Sequence, residues 1–439
     1  MTITRTRILM ALPVALVGLA VAAALIAGSM RYGGADALMR RMQAEVMAHR
    51  PNRYPPLVPT PLPIVAAPAV AQQLPAGPGD AAAPPTTTAT ATAVPTPAEA
   101  AVLPEPTATH EPPPTTRPRY RPAQSTVELT GFRHMWQTWN NCGPATLAIQ
   151  LSFWGSAVGQ ETAGAALRTH QDDKNVMPEE LAAFARAQGF ESRVLVNGNR
   201  ERLRLLLSNG LPVLVETWLE EEPNDGMGHY RLLTGYDDAA GYWIAYDTYV
   251  TRNLRSPAGP YRGIQIPYDE FDRHWQVFNH LYVLVYPVSE AALVAELLAG
   301  ESDAATMWQA ALAQTEAAVT SQPGNAFAWF NLGTNLVAFG RYAEAASAYD
   351  QARRLGLPWR MLWYQFGPFV AYHSVGRHEE VLALADATLR TTTSVEEVHY
   401  WRGMALHSLG NHAAAEQAWR RALALNPRYQ EALAALGEG

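Results

Sequence analysis

The stretch Gln137-Thr-Trp-Asn-Asn-Cys142-Gly-Pro-Ala-Thr-Leu147 contains the only cysteine in a chain of 439 residues. Gly143 and Pro144 follow the cysteine and precede an apolar run, and Pro is favoured in the first turn of a helix. The pattern predicts that Cys142 lies at a helix N-terminus, where the helix dipole lowers the pKa of a thiol. Cys142 is therefore a candidate nucleophile. The alternative is a small buried hydrophobic residue, a common role of a single cysteine.

Gln137 lies five residues before Cys142, so its side chain can fold back towards the thiol. The Gln137 amide and the backbone N–H of Cys142 are predicted to hold the oxyanion of a tetrahedral intermediate. A thiol nucleophile also needs a general base. The motif contains no histidine, so the base must come from elsewhere in the chain.

Two runs of aromatic and aliphatic residues, starting at His229 and ending at Asp247, flank the turn Asp237–Gly241 and predict a β-hairpin. If Tyr236 pairs with Tyr242, His229 and Asp247 are diagonal neighbours on one face of the sheet. A shift of one residue in the register puts Asp247 on the other face. In the first register His229 is a candidate general base and Asp247 fixes its tautomer. The alternative for each residue considered alone is a structural role, as a histidine at the end of a strand for His229 and as a turn residue for Asp247.

With these residues in place, the region from about Thr126 to Pro287 resembles the bacteriocin-processing type of papain-like cysteine peptidase, peptidase family C-39, in its stand-alone form. The resemblance implies an α+β papain-like domain over residues 126–290. It also implies a role for each matching residue. Cys142 is the nucleophile, His229 the base, Asp247 the residue that orients the base, and Gln137 a donor of the oxyanion hole.

The chain departs from that family in two places. Thr248 follows Asp247 where many members carry Pro, and we regard this change as minor. Members linked to export are fused to an ATP-binding transporter, whereas no Gly-x-x-x-x-Gly-Lys-Ser/Thr motif occurs in this sequence. Cleavage of double-glycine leader peptides is therefore not implied.

Composition narrows the functional classes. Charged residues make up 17% of the chain and the formal net charge is −7, without the basic face expected of a nucleic-acid-binding protein. A single cysteine excludes an intramolecular disulfide and a cysteine-rich zinc site. His170, Asp172 and Asp173 have ligand chemistry, but we interpret them as a polar loop before a helix. We therefore predict no metal, no cofactor and no nucleic-acid partner.

Residues 1–34 predict a membrane segment. The run Ile8–Met30 contains 23 residues without a charge, which as a helix are about 34 Å long and span a bilayer. The apolar part of a secretory signal peptide is shorter, so we favour an uncleaved signal anchor over a cleaved signal peptide. Arginines flank both sides and do not fix the orientation. The following linker and the family resemblance favour an extracytoplasmic location for the rest of the chain.

Residues 35–125 are predicted to form a linker. The stretch Pro51–Pro122 contains 20 of the 33 prolines, mixed with Ala and Thr. Such a segment cannot bury enough apolar area to offset the entropy of ordering, so we expect an extended spacer without fixed structure. One interpretation is a stalk that holds a domain off the membrane, and the other is a linker without that role.

Residues 302–439 predict an all-α helical-repeat domain. Ala326–Pro358 and Glu396–Pro427 carry a small residue, an aromatic residue and a small residue at the same offsets from a glycine. This pattern resembles tetratricopeptide repeats, and Trp359–Arg390 is a degenerate repeat between the two. The small residues permit close helix packing.

These patterns predict a membrane-anchored, extracytoplasmic cysteine peptidase that hydrolyses peptide bonds through a Cys–His–Asp site. Its partners are a peptide or protein substrate, a protein bound by the repeat domain, and the membrane through residues 8–30. One alternative is a non-catalytic peptide-binding scaffold with a peptidase-like fold. Another is an amidase or acyl transferase that forms a thioester.

Overall fold

The computed structural model describes residues 57–62, 120–221, 225–301 and 303–438, and a few single positions nearer the N-terminus. The predicted membrane segment and most of the predicted linker lie outside these residues. Within the described part of the chain, no helix has the length and apolarity to cross a bilayer. The chain divides into two units, residues 1–61 with 119–439 and residues 62–118. The peptidase-like and repeat regions therefore belong to one unit.

The peptidase-like region combines one sheet with helices on its faces. Its strands are β1 Thr126–Glu128, β2 Glu191–Leu195, β3 Val213–Leu219, β4 Met227–Asp237, β5 Tyr242–Tyr246, β6 Ile264–Pro267 and β7 Tyr282–Tyr286. Its helices are α1 Cys142–Phe153, α2 Gln160–Leu167, α3 Pro178–Ala187, α4 Arg200–Ser208, α5 Tyr268–Trp275 and α6 Ala291–Leu297, with a 3-10 helix at Gln276–Phe278.

The sheet brings the start of α1 against β4. The strand order is β2-β7-β3-β4-β5-β6 with β1 also paired to β4, and all pairs are antiparallel. Helix α1 is buried from Gly143 to Leu151, as expected for a helix that is apolar on all sides. A Cβ at Gly143 would lie 3.1 Å from the ring of Tyr230. Glycine therefore lets the residue after Cys142 lie directly on β4.

The register of the β4–β5 hairpin differs from the prediction at the turn. Tyr236 pairs with Trp243, and Asp237 pairs with Tyr242, so the predicted Tyr236–Tyr242 pair is wrong by one residue. Continued along both strands, this register would place Asp247 on the opposite face from His229.

A β-bulge restores the predicted relation. The register shifts between Leu233 and Gly235, and beyond it Leu232 pairs with Tyr246. A bulge adds one residue to one strand and reverses the alternation of faces past that point. The extra residue here is Thr234, and its hydroxyl donates to the carbonyl of Ile244 at 3.4 Å. The bulge is what puts His229 and Asp247 on the same face.

The repeat region consists of helix pairs. Its helices are α7 Ala304–Ser321, α8 Ala326–Ala338, α9 Tyr342–Leu355, α10 Gly367–Ser374, α11 His378–Leu389, α12 Glu396–Ser408, α13 His412–Leu425 and α14 Gln430–Leu436. The degenerate repeat begins with a 3-10 helix at Trp359–Trp363 instead of a full first helix. A Cβ at Gly333 would lie 2.7 Å from the Tyr349 ring, so glycine is needed for the close packing of α8 on α9.

The repeat region and the peptidase-like region share a core. Trp218, Val277 and Phe278 of the peptidase-like region are buried in the same cluster as the residues of α8 to α12. Buried polar contacts add to this packing, because the Asn279 amide donates to the Asn335 side-chain oxygen at 2.7 Å. The two regions are therefore one folded body and not two modules joined by a linker.

Residues 57–60 lie along the repeats as an extended segment. The Val58 N–H donates to the Leu357 carbonyl at 2.8 Å. Arg353 donates to the carbonyls of Pro59 and Thr60 at 2.8 and 3.0 Å. This part of the predicted linker therefore has a fixed position, which differs from the expected spacer without fixed structure over residues 35–125.

Candidate active site

Cys142 is the first residue of α1 and is partly buried. Burial raises the pKa of its thiol, but the hydrogen bond and charge of His229 lower it, as do the backbone N–H groups of Tyr230 and Gly143, and the net change is downwards. A thiol with a lowered pKa has a larger thiolate fraction at neutral pH, and the thiolate is the nucleophile. The prediction that Cys142 lies at a helix N-terminus is confirmed.

His229 lies on β4 and is 2% exposed. Its Nε2 is 3.0 Å from Oδ1 of Asp247, which leaves Nδ1 for the hydrogen bond with Cys142. Burial lowers the pKa of His229, but the Asp247 carboxylate raises it by more, and the pKa is about 9. The imidazole is thus a strong enough base to take the thiol proton.

Asp247 follows β5 directly and is fully buried. Its Oδ1 also accepts from the backbone N–H groups of Tyr249 and Val250, each at 2.7 Å, and its Oδ2 accepts from Nε of Arg231 at 2.8 Å. Burial raises the pKa of Asp247, but the charges of His229 and Arg231 hold it far below its usual range. The carboxylate therefore stays ionised and fixes the imidazole.

Two residues that the sequence analysis did not single out hold Asp247, Arg231 through its carboxylate and His134 through its backbone carbonyl. Arg231 lies two positions after His229 on β4, and the period of a strand puts both on one face; that spacing was available as a signal. His134 donates from Nε2 to the Asp247 carbonyl at 2.9 Å, and its ring stacks on Tyr261 with centroids 3.5 Å apart. Burial lowers the pKa of His134 to about 4, so it is a neutral donor and not a second base.

Gln137 is held by Thr248 through two hydrogen bonds. The Thr248 hydroxyl donates to Oε1 of Gln137 at 2.7 Å, and the Gln137 N–H donates to the Thr248 carbonyl at 2.9 Å. Because the amide oxygen is engaged, the Nε2 group is the part of the side chain left to donate to an oxyanion. Thr248, regarded above as a minor change, supplies a hydroxyl that proline lacks.

Glu216 is a buried carboxyl group near the thiol that the sequence did not indicate. It is 5% exposed and pairs across the sheet with Tyr230. Burial raises its pKa far above the usual value, and the negative charges of Cys142 and Glu179 raise it further. The raised pKa favours the neutral form of the Glu216 carboxyl, which lessens its repulsion of a thiolate at Cys142.

The tryptophans near the site have different environments. Trp139 is partly buried, with the Lys174 ammonium 5.1 Å from its ring. Trp218 is 3% exposed and packs against Phe278 and Tyr364 with centroids 6.3 and 6.5 Å apart. Trp218 is therefore a residue of the shared core.

The polar loop before α3 reaches the repeat region. Asp173 is buried and accepts from the backbone N–H groups of Thr169 and Asn175 at 3.1 Å each, as expected of a polar loop. His170, Asp173 and Glu396 each bring one potential ligand atom within 4.8 Å of the others. The grouping joins this loop to the first turn of α12.

Comparisons with known proteins support the division of the chain into a peptidase-like region and a repeat region. Residues 128–280 match the model of the Peptidase_C39 like family, and residues 396–429 match that of the tetratricopeptide repeat. The predicted likeness to papain-like cysteine peptidases of the bacteriocin-processing type, followed by tetratricopeptide-like repeats, is confirmed. The comparison with curated proteins gives no match.

Solved structures similar to parts of the chain include a C39-like peptidase from Bacillus anthracis, 16% identical, which covers 37% of this chain and 98% of its own with a TM-score of 0.28. A double glycine motif protease from an AMS/PCAT transporter is 19% identical. The match covers 38% of this chain and 100% of that protease, with a TM-score of 0.27. The tetratricopeptide protein YrrB is 19% identical. The match covers 33% of this chain and 88% of YrrB, with a TM-score of 0.19. The case for chemistry therefore rests on the residues of this chain.

Proposed function

We propose that this chain is a cysteine peptidase in which Cys142 attacks the carbonyl of a peptide bond. The observation that carries the proposal is the buried His229–Asp247 pair, 3.0 Å apart, together with the lowered pKa of the thiol that His229 contacts. A structural cysteine needs no such partner. The Gln137 amide and the Cys142 backbone N–H are the proposed oxyanion donors.

The proposed reaction moves one proton between His229 and the reacting groups. The thiol gives its proton to Nδ1 of His229, and the thiolate adds to the carbonyl carbon. The tetrahedral intermediate then collapses to a thioester as the C–N bond breaks and His229 protonates the leaving amine. Water, deprotonated by the same imidazole, hydrolyses the thioester and releases the thiol.

We also propose that the chain is anchored in the membrane through residues 8–30, with the peptidase and repeat regions outside the cytoplasm. The repeats are proposed to bind a peptide or protein partner. Support for peptide binding comes from residues 57–60, which the repeats hold as an extended segment through Arg353. Protease accessibility in intact cells tests the orientation, and full protection of the repeat region from external protease would contradict it.

An activity-based probe for thiol nucleophiles tests the central proposal. Wild type should be labelled at neutral pH, Cys142→Ala should not, and His229→Ala should be labelled far more slowly because its thiol has lost the base. Equal labelling of wild type and His229→Ala would show a thiol without activation and would favour the binding-scaffold alternative. Products formed with added amine acceptors separate peptide hydrolysis from acyl transfer.

A further inference from the structure

A closed ring of buried hydrogen bonds lies behind the proposed base. Thr217, on β3, pairs with His229 across the sheet, and its hydroxyl donates to the His229 carbonyl at 3.2 Å. The same hydroxyl oxygen accepts from Nη1 of Arg231, and Nε of Arg231 donates to Oδ2 of Asp247 at 2.8 Å. Because Oδ1 of Asp247 binds the His229 imidazole, the ring runs from the backbone of His229 to its side chain.

Burial gives each polar group of this ring a need for its partner. Thr217 and Asp247 are fully buried and Arg231 is 4% exposed, and arginines are almost never buried to this degree unless they are paired. Packing alone does not call for a hydroxyl at position 217, since valine has nearly the same shape as threonine. The Thr217 hydroxyl is explained by its two partners, the guanidinium of Arg231 and the carbonyl of His229.

The two carboxylate oxygens of Asp247 are held by different parts of the chain. The N–H groups of Tyr249 and Val250 donate to Oδ1 and fix its position. Arg231 holds Oδ2 and thereby fixes the plane of the carboxylate. A hydrogen bond to an sp² oxygen is best near that plane, so the plane decides how well Oδ1 meets Nε2 of His229. Arg231 therefore sets the direction in which Asp247 accepts from the proposed base.

The backbone of Asp247 is held without Arg231. Its N–H donates to the Tyr261 hydroxyl at 3.0 Å, and that hydroxyl donates to the Asp247 carbonyl at 3.1 Å. His134 donates to the same carbonyl. Loss of the contact between Arg231 and Thr217 should therefore change the orientation of the Asp247 side chain and leave the course of the chain as it is.

We infer that Arg231 and Thr217 are positioning residues for the proposed base. They act on the thiol through His229, which they hold at both ends: Arg231 orients the carboxylate that binds the imidazole, and Thr217 holds the backbone carbonyl. The inference rests on the proposed function for its role in catalysis. A purely structural role of these residues predicts a loss of stability with an unchanged reactivity of Cys142.

Alkylation of Cys142 in the full chain tests the inference without requiring peptidase activity. Thr217→Val removes the hydroxyl and changes none of the charged groups that act on His229, which include Asp247, Cys142 and Arg231. At pH 6 we expect the rate with iodoacetamide to fall about tenfold, because misplaced groups lose much of their effect. Thr217→Ser should restore the rate. At pH 10, where a thiol ionises without a base, the three proteins should react equally.

The matched control is Thr388→Val, which removes a buried hydroxyl that donates to the Leu384 carbonyl at 2.9 Å within the repeats. It should leave the alkylation rate at pH 6 unchanged while it lowers the thermal unfolding temperature. An unchanged rate at pH 6 in a folded Thr217→Val protein overturns the inference. A loss of rate that persists at pH 10 also overturns it, because it would reflect access to the thiol and not its activation.

Arg231→Lys tests the other half of the ring. Lysine keeps the positive charge beside Asp247, but it lacks the rigid fork that reaches Asp247 and Thr217 together. We expect the same loss of rate at pH 6, and the double variant with Thr217→Val should lose little more than either single variant, because both remove one shared contact. A wild-type rate in Arg231→Lys would contradict the role of Arg231. If Thr217→Val does not fold, Arg231→Lys decides alone.

Peptide kinetics separate the positioning role from the proposed function. Thr217→Val should lower kcat and leave KM unchanged, because neither residue of the inference contacts the substrate. A change in KM alone would contradict the inference even if peptides are hydrolysed. If wild type hydrolyses no peptide, the proposed function fails, and the alkylation rates still decide whether Arg231 and Thr217 position His229.

Discussion

Two clusters of buried charged side chains, one in the peptidase-like region and one in the repeats, are built from the same kinds of contact. In the first, Asp247 accepts from His229 and Arg231 and from two backbone N–H groups. In the second, Arg353 donates to Glu380 at 2.6 Å and to the Tyr372 hydroxyl at 3.1 Å. All six of these side chains are buried.

The difference between the clusters lies in how their charges are balanced. In the repeats, Arg353 and Arg377 face Asp350 and Glu380, two cations and two anions that are all paired. In the peptidase-like region one arginine and one carboxylate balance each other, and a histidine and a thiol add a proton that either can hold. A proton can therefore pass from thiol to imidazole without changing the net charge of the buried cluster, which burial otherwise penalises.

The largest predicted effect is a loss of kcat, which should follow a substitution in the peptidase-like cluster and not one in the repeat cluster. His229→Gln keeps a donor for Asp247 but removes the base, so kcat should fall by about 10⁴-fold or more. Tyr372→Phe removes one polar group from the repeat cluster in the same way, and it should leave kcat within about twofold of wild type. Steady-state kinetics on both variants, with thermal unfolding as a check on folding, make the comparison. A comparable loss of kcat in Tyr372→Phe would refute the distinction.

The second prediction concerns stability. Arg353→Met leaves Glu380 buried without its closest partner, and removing one member of a buried ion pair costs about 3–5 kcal/mol of unfolding free energy. Denaturant unfolding measures the loss. The pH dependence of Cys142 alkylation in the same variant should match wild type, since the cluster does not contact the thiol. An altered alkylation profile would mean that the two clusters are coupled.

Stability should also depend on pH through His229 in the cluster of the peptidase-like region. The folded-state pKa of His229 is raised to about 9 from an ordinary value near 6.5, so its contribution is fully present below pH 6.5 and is lost as the pH rises through 9. In a Cys142→Ala background, which removes the opposite titration of the thiol, the unfolding free energy should fall by on the order of 2 kcal/mol across this window.

Two variants in that background locate the effect. His229→Gln should abolish the fall, because the titrating group is gone. Arg353→Met should retain it, because this substitution leaves His229 and its contact with Asp247 unchanged. A pH-independent unfolding free energy in the Cys142→Ala protein would mean that His229 is not held as a cation by Asp247.

The smallest predicted effect lies outside both clusters. Thr248→Val removes the hydroxyl that fixes Oε1 of Gln137, and we expect kcat to fall about tenfold with KM unchanged, because an oxyanion exists only along the reaction path. Thr248→Ser should restore the rate. The alkylation rate with iodoacetamide should not change, since that reaction forms no oxyanion. A change in KM alone would contradict a role of Thr248 in positioning Gln137.

The site was predictable from sequence where short motifs carry it, and not where tertiary context does. Cys142 was found from the Gly-Pro helix start, and His229 and Asp247 from the flanks of a hairpin. Their relation was right for an incomplete reason, because the assumed register at Tyr236 is wrong and the bulge at Thr234 compensates for it. The available signal was Gly235, next to the extra residue, because an isolated glycine inside a strand pattern often marks a bulge or a close backbone approach.

The repeat region likewise has features that the sequence indicated and features that it did not. Gly333 and its aromatic partner were readable because close helix packing demands a small residue at a fixed offset. The burial of Trp218 in the core of the repeats was not readable, because periodicity reports which face of an element is apolar and not what covers it.

The attachment of residues 57–60 to the repeats bears on the reach of the folded body from the proposed membrane anchor. Arg353 binds the carbonyls of Pro59 and Thr60, and the backbone N–H of Arg121 donates to the Asn209 side chain, so the chain is attached to this body on both sides of residues 63–119. If the chain is anchored through residues 8–30, the reach is set by the stretch from residue 31 to Leu57, at most about 90 Å, instead of the roughly 300 Å that the stretch from residue 31 to Tyr120 would allow. Shortening residues 63–119 should then leave the reach of the folded body unaltered, whereas deleting residues before Leu57 should reduce it.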